Sequence, residues 1–285
     1  MRRRLAVAIV AGLAVGVAAW RLEQARLGPD REAACAEAGG ATLDHDGVRV
    51  LVGSELATDG ALRPGHVARC DERAAATATF IAVRAAVRDA RWPDLPPVVV
   101  HFDPRGGAAG ARTHRARAEL LLPAGGPLDA TVLSHELTHV VVLARRAEAP
   151  RSDVGRRVIA VLDEGVADFA AAVATGRSVV GDPARGPTRD LERPPRVSVE
   201  GWAHLASTST PFDPHLLGWD LAAALFARAG ADRQLRDDLA AAVAAARGED
   251  VGPILASLVP ACAERSRPLL RSVLAEWVPG ELALE

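Results

Sequence analysis

The sequence predicts an α+β fold, in which a small mixed sheet forms early in the chain and a helical part follows. Before residue 123, short segments of alternating or continuous apolar residues have the length and the β-branched content of strands. Beyond residue 127, apolar residues recur at helical spacing over longer segments. The chain of 285 residues is long enough for one large domain or a closely joined pair.

Residues 1–26 have the pattern of an export signal. Arg2-Arg3-Arg4 precede an apolar run that extends over residues 5–20. That run is shorter than the roughly 20 residues of a spanning helix. The segment is therefore expected to be a cleaved signal peptide or a signal anchor. Either one places the rest of the chain in the cell envelope or outside the cell, with membrane attachment only if the segment is retained.

Residues 27–96 are expected to form an N-terminal region with a hairpin and a helix. Valines alternate with other residues over 48–52 and predict a short hairpin within residues 39–63. The alanine-rich segment 68–91 predicts a helix that ends before Pro93.

Residues 97–285 are expected to form a larger region that begins with an apolar strand at 97–102. A second strand is predicted at 116–122, at the edge of the sheet above a cleft. The segment 181–195 is rich in Pro, Gly and Arg, which predicts a plain surface connector or a flexible loop near the cleft. Four further segments predict a helical C-terminal part: 220–229, 232–247, 251–258 and 263–277.

The string His135-Glu136-Leu137-Thr138-His139 lies in a predicted helix that follows a Gly-Gly-Pro turn. Histidines four residues apart lie on one face of a helix and can hold one metal ion. The glutamate between them lies about 100° around the helix, where it can reach a water molecule at that ion. The spacing therefore predicts a metal site with a base beside it.

A zinc site of this kind needs a third protein ligand. A second helix is predicted at residues 157–175, ending at Gly176, and it carries Glu164 and Asp168 four residues apart. Glu164 is the candidate third ligand.

H-E-L-T-H followed by D-E-G-V-A-D-F resembles the gluzincin branch of the zincin metallopeptidases, the branch that includes thermolysin. The resemblance spans roughly residues 97–246 and implies a zincin-like metallopeptidase domain with an HExxH active-site helix and a glutamate-ligand helix. It implies that Zn²⁺ is held by His135, His139 and Glu164.

In the same family the acidic residue one turn after the ligand glutamate orients the first histidine, so Asp168 would orient His135. Asp163 stands where the family often has a polar residue that supports the other histidine, which is His139 here. A helix-capping or solvated carboxylate is an equal alternative for Asp163.

The resemblance further implies hydrolysis of peptide bonds in a peptide or protein substrate, with Glu136 as general base. Family members usually add a tyrosine or histidine donor that stabilises the oxyanion, and this chain contains no tyrosine. His215 falls about where related sequences place such a tyrosine and is the first candidate donor; His204 is the second. The chain also lacks lysine and asparagine, so codon bias is another explanation for the missing tyrosine.

Two other hypotheses are open at this point. The domain could be a zincin-fold zinc-binding scaffold with little or no hydrolytic activity, which the missing tyrosine favours and the intact Glu136 opposes. The motif could also be accidental in an exported helical protein, provided that Glu164 does not lie near the histidines. The net charge of −2, with arginines interleaved among acids, gives no reason to expect a nucleic-acid partner.

The three cysteines do not have the spacing of a metal or redox motif. Cys35 and Cys70 could pair in an oxidising compartment, leaving Cys262 buried among the C-terminal helices, or all three could be reduced and packed. The remaining histidines are expected to be structural or exposed rather than ligands: His45, His66, His101 and His114.

Overall fold

The computed structural model describes residues 42–45, 47–52, 54–56, 62–64, 70–103, 112–114, 118–123, 129–183, 187–196, 199–206 and 213–279. The predicted export segment and Cys35, and with it the proposed Cys35–Cys70 pair, lie outside these residues. Cys262 is a free, buried cysteine. None of the helices that the structure describes combines the length and the apolar character needed to cross a membrane.

The described residues form nine strands and eight α-helices. The strands are β1 (Thr42–His45), β2 (Val48–Val52), β3 (Ser54–Leu56), β4 (Leu62–Pro64), β5 (Val98–Asp103), β6 (Arg112–His114), β7 (Glu119–Pro123), β8 (Val179–Val180) and β9 (Arg189–Asp190). The helices are α1 (Cys70–Ala90), α2 (Ala130–Arg145), α3 (Asp153–Thr175), α4 (Val199–Ala206), α5 (Pro214–Ala229), α6 (Arg233–Ala245), α7 (Val251–Ala261) and α8 (Arg267–Trp277), with a 3-10 turn at Glu264–Ser266. The predicted α+β class with a small mixed sheet is confirmed.

The main sheet has the strand order β1-β2-β5-β7-β6. β2, β5 and β7 run parallel, whereas β1 and β6 are antiparallel to their neighbours. The predicted hairpin is the β1–β2 pair, and β3 and β4 form a second hairpin. The prediction that the strand at 116–122 forms the edge is wrong: β7 lies one strand inside, and β6 occupies the edge. With only three residues, β6 is too short to show a strand pattern in the sequence.

The sheet buries one face against α1 and α2. Val98, Val100 and Phe102 of β5 alternate onto this face, as do Leu120 and Leu122 of β7. Residues directly opposite each other in an antiparallel pair share a face. Thr113 of β6 pairs with Leu120, so the edge strand presents Thr113 toward α2.

The helix α3 is the centre of the helical part. Its buried apolar residues pack against α2, α5, α6 and α7 in one continuous core. The side chain of Ser152 caps its start by accepting the backbone N–H of Gly155, so the helix begins at Asp153, earlier than predicted. At its end Gly176 adopts φ = 68°, a left-handed conformation that favours glycine.

The helix α5 also begins earlier than predicted. Asp213 caps it by accepting the N–H of His215, and Pro214 occupies the first turn. His215 therefore belongs to the first turn of a regular helix rather than to the segment before it. The direction of its side chain relative to α3 is therefore set by the helix.

Candidate metal centre

The helix α2 brings three polar residues of the motif into the interior. His135, Glu136 and His139 are 5%, 8% and 6% exposed. The helix starts at an N-cap, Asp129, whose carboxylate accepts the N–H of Thr131. Buried polar side chains of this kind require partners, because an unpaired group costs several kcal/mol when it leaves water.

The partners come from α3, which crosses α2 at the motif. Oε2 of Glu164 lies 3.1 Å from Nε2 of His135 and 3.4 Å from Nε2 of His139. The two Nε2 atoms are 3.1 Å apart. Among the described residues, these three form the one group of His, Cys, Asp and Glu side chains that could hold a metal ion.

The separations are close to the edges of a coordination tetrahedron. Zinc binds imidazole nitrogen and carboxylate oxygen at about 2.0–2.2 Å, so two ligand atoms of a tetrahedral site stand about 3.3–3.6 Å apart. The three observed separations are 3.1, 3.1 and 3.4 Å. The side chains are therefore already arranged around a point that a small divalent cation fits.

The buried group is strongly coupled electrostatically. Burial alone would raise the pKa of the Glu164 carboxyl group, but the imidazoles of His139 and His135 hold it well below its ordinary value. Burial alone would lower the pKa of both histidines. Asp168 and Glu164 outweigh that effect for His135, and Asp163 and Glu164 outweigh it for His139, so that both pKa values are raised. A cation at this site competes with protons for the imidazoles.

Asp168 supports His135 from behind. Its Oδ1 accepts a hydrogen bond from Nδ1 of His135 at 2.8 Å, which leaves Nε2 pointing at the group. Burial alone would raise the pKa of Asp168, but the bond from His135 and the nearby Arg189 hold it below its ordinary value. This is the position that the family resemblance implied for Asp168.

Asp163 lies beside the other histidine. It is fully buried, and its Oδ1 is 3.2 Å from Nδ1 of His139. It occupies the middle of α3 rather than the helix start, and it is not in contact with solvent. Its place therefore excludes a capping or solvated carboxylate, and its nearest charged neighbour is His139.

Glu136 is in contact with the sheet edge. The hydroxyl of Thr113 donates a hydrogen bond of 2.8 Å to Oε2 of Glu136 and lies 3.1 Å from its backbone oxygen. The edge strand β6 thus holds the carboxylate of the residue that follows His135 in α2. The sequence did not single out Thr113, since a three-residue strand has no recognisable period.

His215 reaches the group from α5. Its Nε2 lies 3.4 Å from Oε2 of Glu164, and its Nδ1 lies 2.7 Å from Oδ1 of Asp213. Burial alone would raise the pKa of Asp213, but the backbone N–H and the ring of His215 hold it below its ordinary value. His215 stands beside the three-residue group without belonging to it. The second candidate donor, His204, is exposed on α4.

Two glycines allow α5 to approach α3 closely enough for this contact. A Cβ atom added at Gly218 would lie 2.8 Å from Cβ of Glu164 and 2.9 Å from the backbone nitrogen of Gly165. A Cβ atom at Gly165 would lie 2.9 Å from the backbone oxygen of Gly218. No side chain fits at either position without moving the helices apart.

Of the histidines expected to be structural, His101 is buried and lies 2.7 Å from Oε2 of Glu119. His114 is half-buried on β6, and it is not part of the metal group. The hypothesis of an accidental motif required Glu164 to lie away from the histidines and is contradicted by the distances given above.

The segment 181–195 was predicted as a surface connector or a flexible loop. Its described part includes the strand β9, which pairs with β8 and carries Arg189. Arg189 donates two hydrogen bonds to Asp168, so this segment takes part in the surroundings of the site. A segment rich in Pro, Gly and Arg does not predict a strand, so the sequence did not indicate that contact.

A scan against protein-family models, a search of curated proteins and a search of solved structures each find no match to this chain.

Proposed function

We propose that this protein is a zinc-dependent peptidase of the gluzincin type, with a zincin-like domain. One observation carries the proposal: three buried ligand atoms of His135, His139 and Glu164 stand 3.1–3.4 Å apart, and the buried Glu136 lies between the two histidines in α2. Two imidazoles and one carboxylate form a donor set that suits zinc, whereas Mg²⁺ and Ca²⁺ prefer oxygen ligands alone. Three protein ligands leave a fourth position open, as in catalytic zinc sites.

Zinc held there would supply Lewis acidity, making a water molecule acidic near neutral pH and polarising a carbonyl oxygen. Glu136 is the group that can accept a proton from that water and deliver it to the leaving amine. Its carboxylate is held in one orientation by the hydroxyl of Thr113. Little reorganisation is then needed when the proton moves.

His215 is the proposed donor to the carbonyl oxygen. Its ring is fixed at Nδ1 by Asp213, and Nε2 faces the side of the group occupied by Glu164. A group at that place can stabilise charge that develops on the oxygen during attack, which is the task that a tyrosine performs in related enzymes. Loss of one such donor typically costs two to three decades in rate.

The substrate in this proposal is a peptide or protein, and the N-terminal segment would place the enzyme in the cell envelope or outside the cell. The scaffold hypothesis remains the alternative. It retains the zinc site but predicts little or no hydrolysis.

The test uses the full-length chain and three variants, Glu136→Gln, Glu164→Ala and His215→Ala. Glu148→Gln is the matched control, because Glu148 is exposed just beyond α2. Bound metal is measured by elemental analysis, and cleavage is measured on a peptide library. We expect one zinc per chain in the wild type, retained zinc without cleavage in Glu136→Gln, and loss of zinc in Glu164→Ala.

His215→Ala is expected to keep zinc and to cleave roughly 100-fold to 1,000-fold more slowly. Unchanged turnover in that variant would remove His215 from the site. Zinc at unit stoichiometry with no cleavage of any peptide or protein would favour the scaffold. Absence of zinc from freshly purified, unchelated wild type would overturn both hypotheses.

A further inference from the structure

The β8–β9 hairpin connects the three helices that carry the site. The backbone N–H of Gly181, next to β8, donates to the hydroxyl of Thr131 on α2 at 3.0 Å. The indole N–H of Trp219 on α5 donates to the backbone oxygen of Asp190 at 2.9 Å. Arg189 on β9 contacts Asp168 on α3. A hairpin tied to α2, α3 and α5 has its position set by the same helices that bring the ligands together.

The Arg189–Asp168 contact is bidentate. Nε of Arg189 donates to Oδ2 at 2.6 Å, and Nη2 donates to Oδ1 at 2.7 Å. Two parallel bonds from a rigid guanidinium fix the plane of a carboxylate, which a single ammonium group does not do. The same Oδ1 accepts the Nδ1–H of His135. The orientation of the His135 ring therefore depends on a carboxylate whose own orientation is set by Arg189.

The charge of the site also requires this arginine. Four buried carboxylates surround the two histidines: Glu136, Asp163, Glu164 and Asp168. Asp168 is fully buried, and the side chain of Arg189 is 20% exposed. Removing one partner of a buried ion pair leaves an uncompensated charge, which is strongly unfavourable. Without Arg189, Asp168 would lose both hydrogen bonds that fix its plane, and rotation of the carboxylate would alter its bond to His135.

We infer that Arg189 is a positioning residue of the metal centre, acting through Asp168 to hold Nε2 of His135 in place for the ion. This inference rests on the proposed function for the presence of a metal. Arg189 donates to Asp168, which in turn accepts from His135, so its effect passes through one carboxylate. Substitution of partners outside the ligand shell typically weakens metal binding 10-fold to 100-fold.

The experiment compares the full-length wild type with Arg189→Gln, Arg189→Lys and Arg177→Gln. Arg177 is the matched control because it makes an ion pair of 2.9 Å with Asp129, close to the same hairpin but away from the ligands. Zinc dissociation constants are measured by competition with a chromophoric chelator. The visible absorption of the Co²⁺-loaded protein reports the geometry around the ion.

We expect zinc binding about 10-fold to 100-fold weaker in Arg189→Gln, with a changed Co²⁺ spectrum. Arg189→Lys keeps the charge but not the bidentate geometry, so we expect an intermediate affinity. Arg177→Gln is expected to stay within about twofold of the wild type, because an exposed pair contributes little. Urea unfolding of the metal-free proteins separates weaker binding from a weaker fold.

The outcomes distinguish this inference from the proposed function. If Arg189→Gln binds zinc like the wild type and has the same Co²⁺ spectrum, Arg189 has no positioning role, and the zinc proposal stands. Equal weakening in Arg189→Gln and Arg177→Gln would assign the effect to the hairpin as a whole and overturn the inference. If Arg189→Gln does not fold, Arg189→Lys decides. A wild type that binds neither ion overturns the proposed function itself.

Discussion

Replacing Gly218 by alanine tests whether the close approach of α3 and α5 builds the site. The added methyl carbon would lie 2.8 Å from Cβ of Glu164. Carbon atoms rest about 3.5–4.0 Å apart, so the helices must separate by about 0.7 Å or more. The clashing atoms are a Cβ and a backbone nitrogen, which no change of side-chain rotamer can remove.

The cost follows from overpacking. Extra methyl groups in a close-packed interior typically cost about 1–3 kcal/mol. The higher helix propensity of alanine offsets up to about 1 kcal/mol of this. With that offset, the free energy of unfolding should fall by up to about 2 kcal/mol, which corresponds to a Tm lower by up to roughly 8 °C in a domain of this size.

The catalytic consequence is expected to be larger than the loss of stability. Separation of the helices moves His215 on α5 away from Glu164 on α3, while both histidine ligands remain on α2. A displacement approaching 1 Å can lower a rate by about 100-fold. Peptide cleavage by Gly218→Ala should therefore fall more steeply than its zinc affinity.

The matched control is Gly252→Ala. Gly252 also lies in a helix, α7, but an added Cβ there would meet nothing within 4 Å. That variant should be as stable as the wild type or more so, by up to about 1 kcal/mol from helix propensity. If thermal and urea unfolding show Gly218→Ala to be at least as stable as Gly252→Ala, the reasoning from the close contact is refuted.

Three further predictions concern other parts of the site. Thr113→Val should leave zinc affinity unchanged and slow peptide cleavage about 10-fold, because Glu136 loses a fixed hydrogen bond. Thr113→Ser keeps the hydroxyl group and should retain turnover. Equal cleavage rates for the two variants would contradict this prediction. Asp129→Ala should lower the free energy of unfolding at neutral pH by about 1 kcal/mol, with little change in Asp129→Asn. Burial alone would raise the pKa of Asp129, but hydrogen bonds from Thr131 and Arg177 hold it below its ordinary value of 3.8. The carboxylate's contribution to the free energy of unfolding is therefore present above about pH 4 and is lost as the pH falls through the folded-state pKa. Between pH 5 and pH 3, the free energy of unfolding of the metal-free protein, measured with urea, should therefore fall less in Asp129→Asn than in the wild type. The Tm should rise with the logarithm of the free zinc concentration, so removing the metal with a chelator should lower the Tm. A Tm that does not change with zinc would exclude a site that binds zinc in the folded state.

The members of the candidate metal group could be predicted from the sequence because they follow helical spacing. His135 and His139 are one turn apart, as are Glu164 and Asp168, and both pairs lie on helices with strong apolar periodicity. Spacing does not reveal which two helices meet. For Glu164 the family resemblance supplied that link, and the distances in the structure now describe it.

The residues that were missed lie on elements without a period. Thr113 belongs to a strand of three residues and Arg189 to a strand of two. Each pairs with the strand next to it in the chain, but two or three residues are too few to show the alternation by which a strand is recognised in a sequence. The early start of α5 was readable in principle, because Asp213-Pro214 is a capping residue followed by proline at the first helical position.

The two ligand helices are neighbours in the chain. Only residues 146–152 separate α2 from α3, so this pair needs little loop closure to form, whereas α5, which carries His215, begins 39 residues after α3 ends. Under the proposed function, we expect α2 and α3 to suffice for holding the ion, because they carry His135, His139 and Glu164. The helix α5 then adds His215 to a group whose ligand residues are already complete.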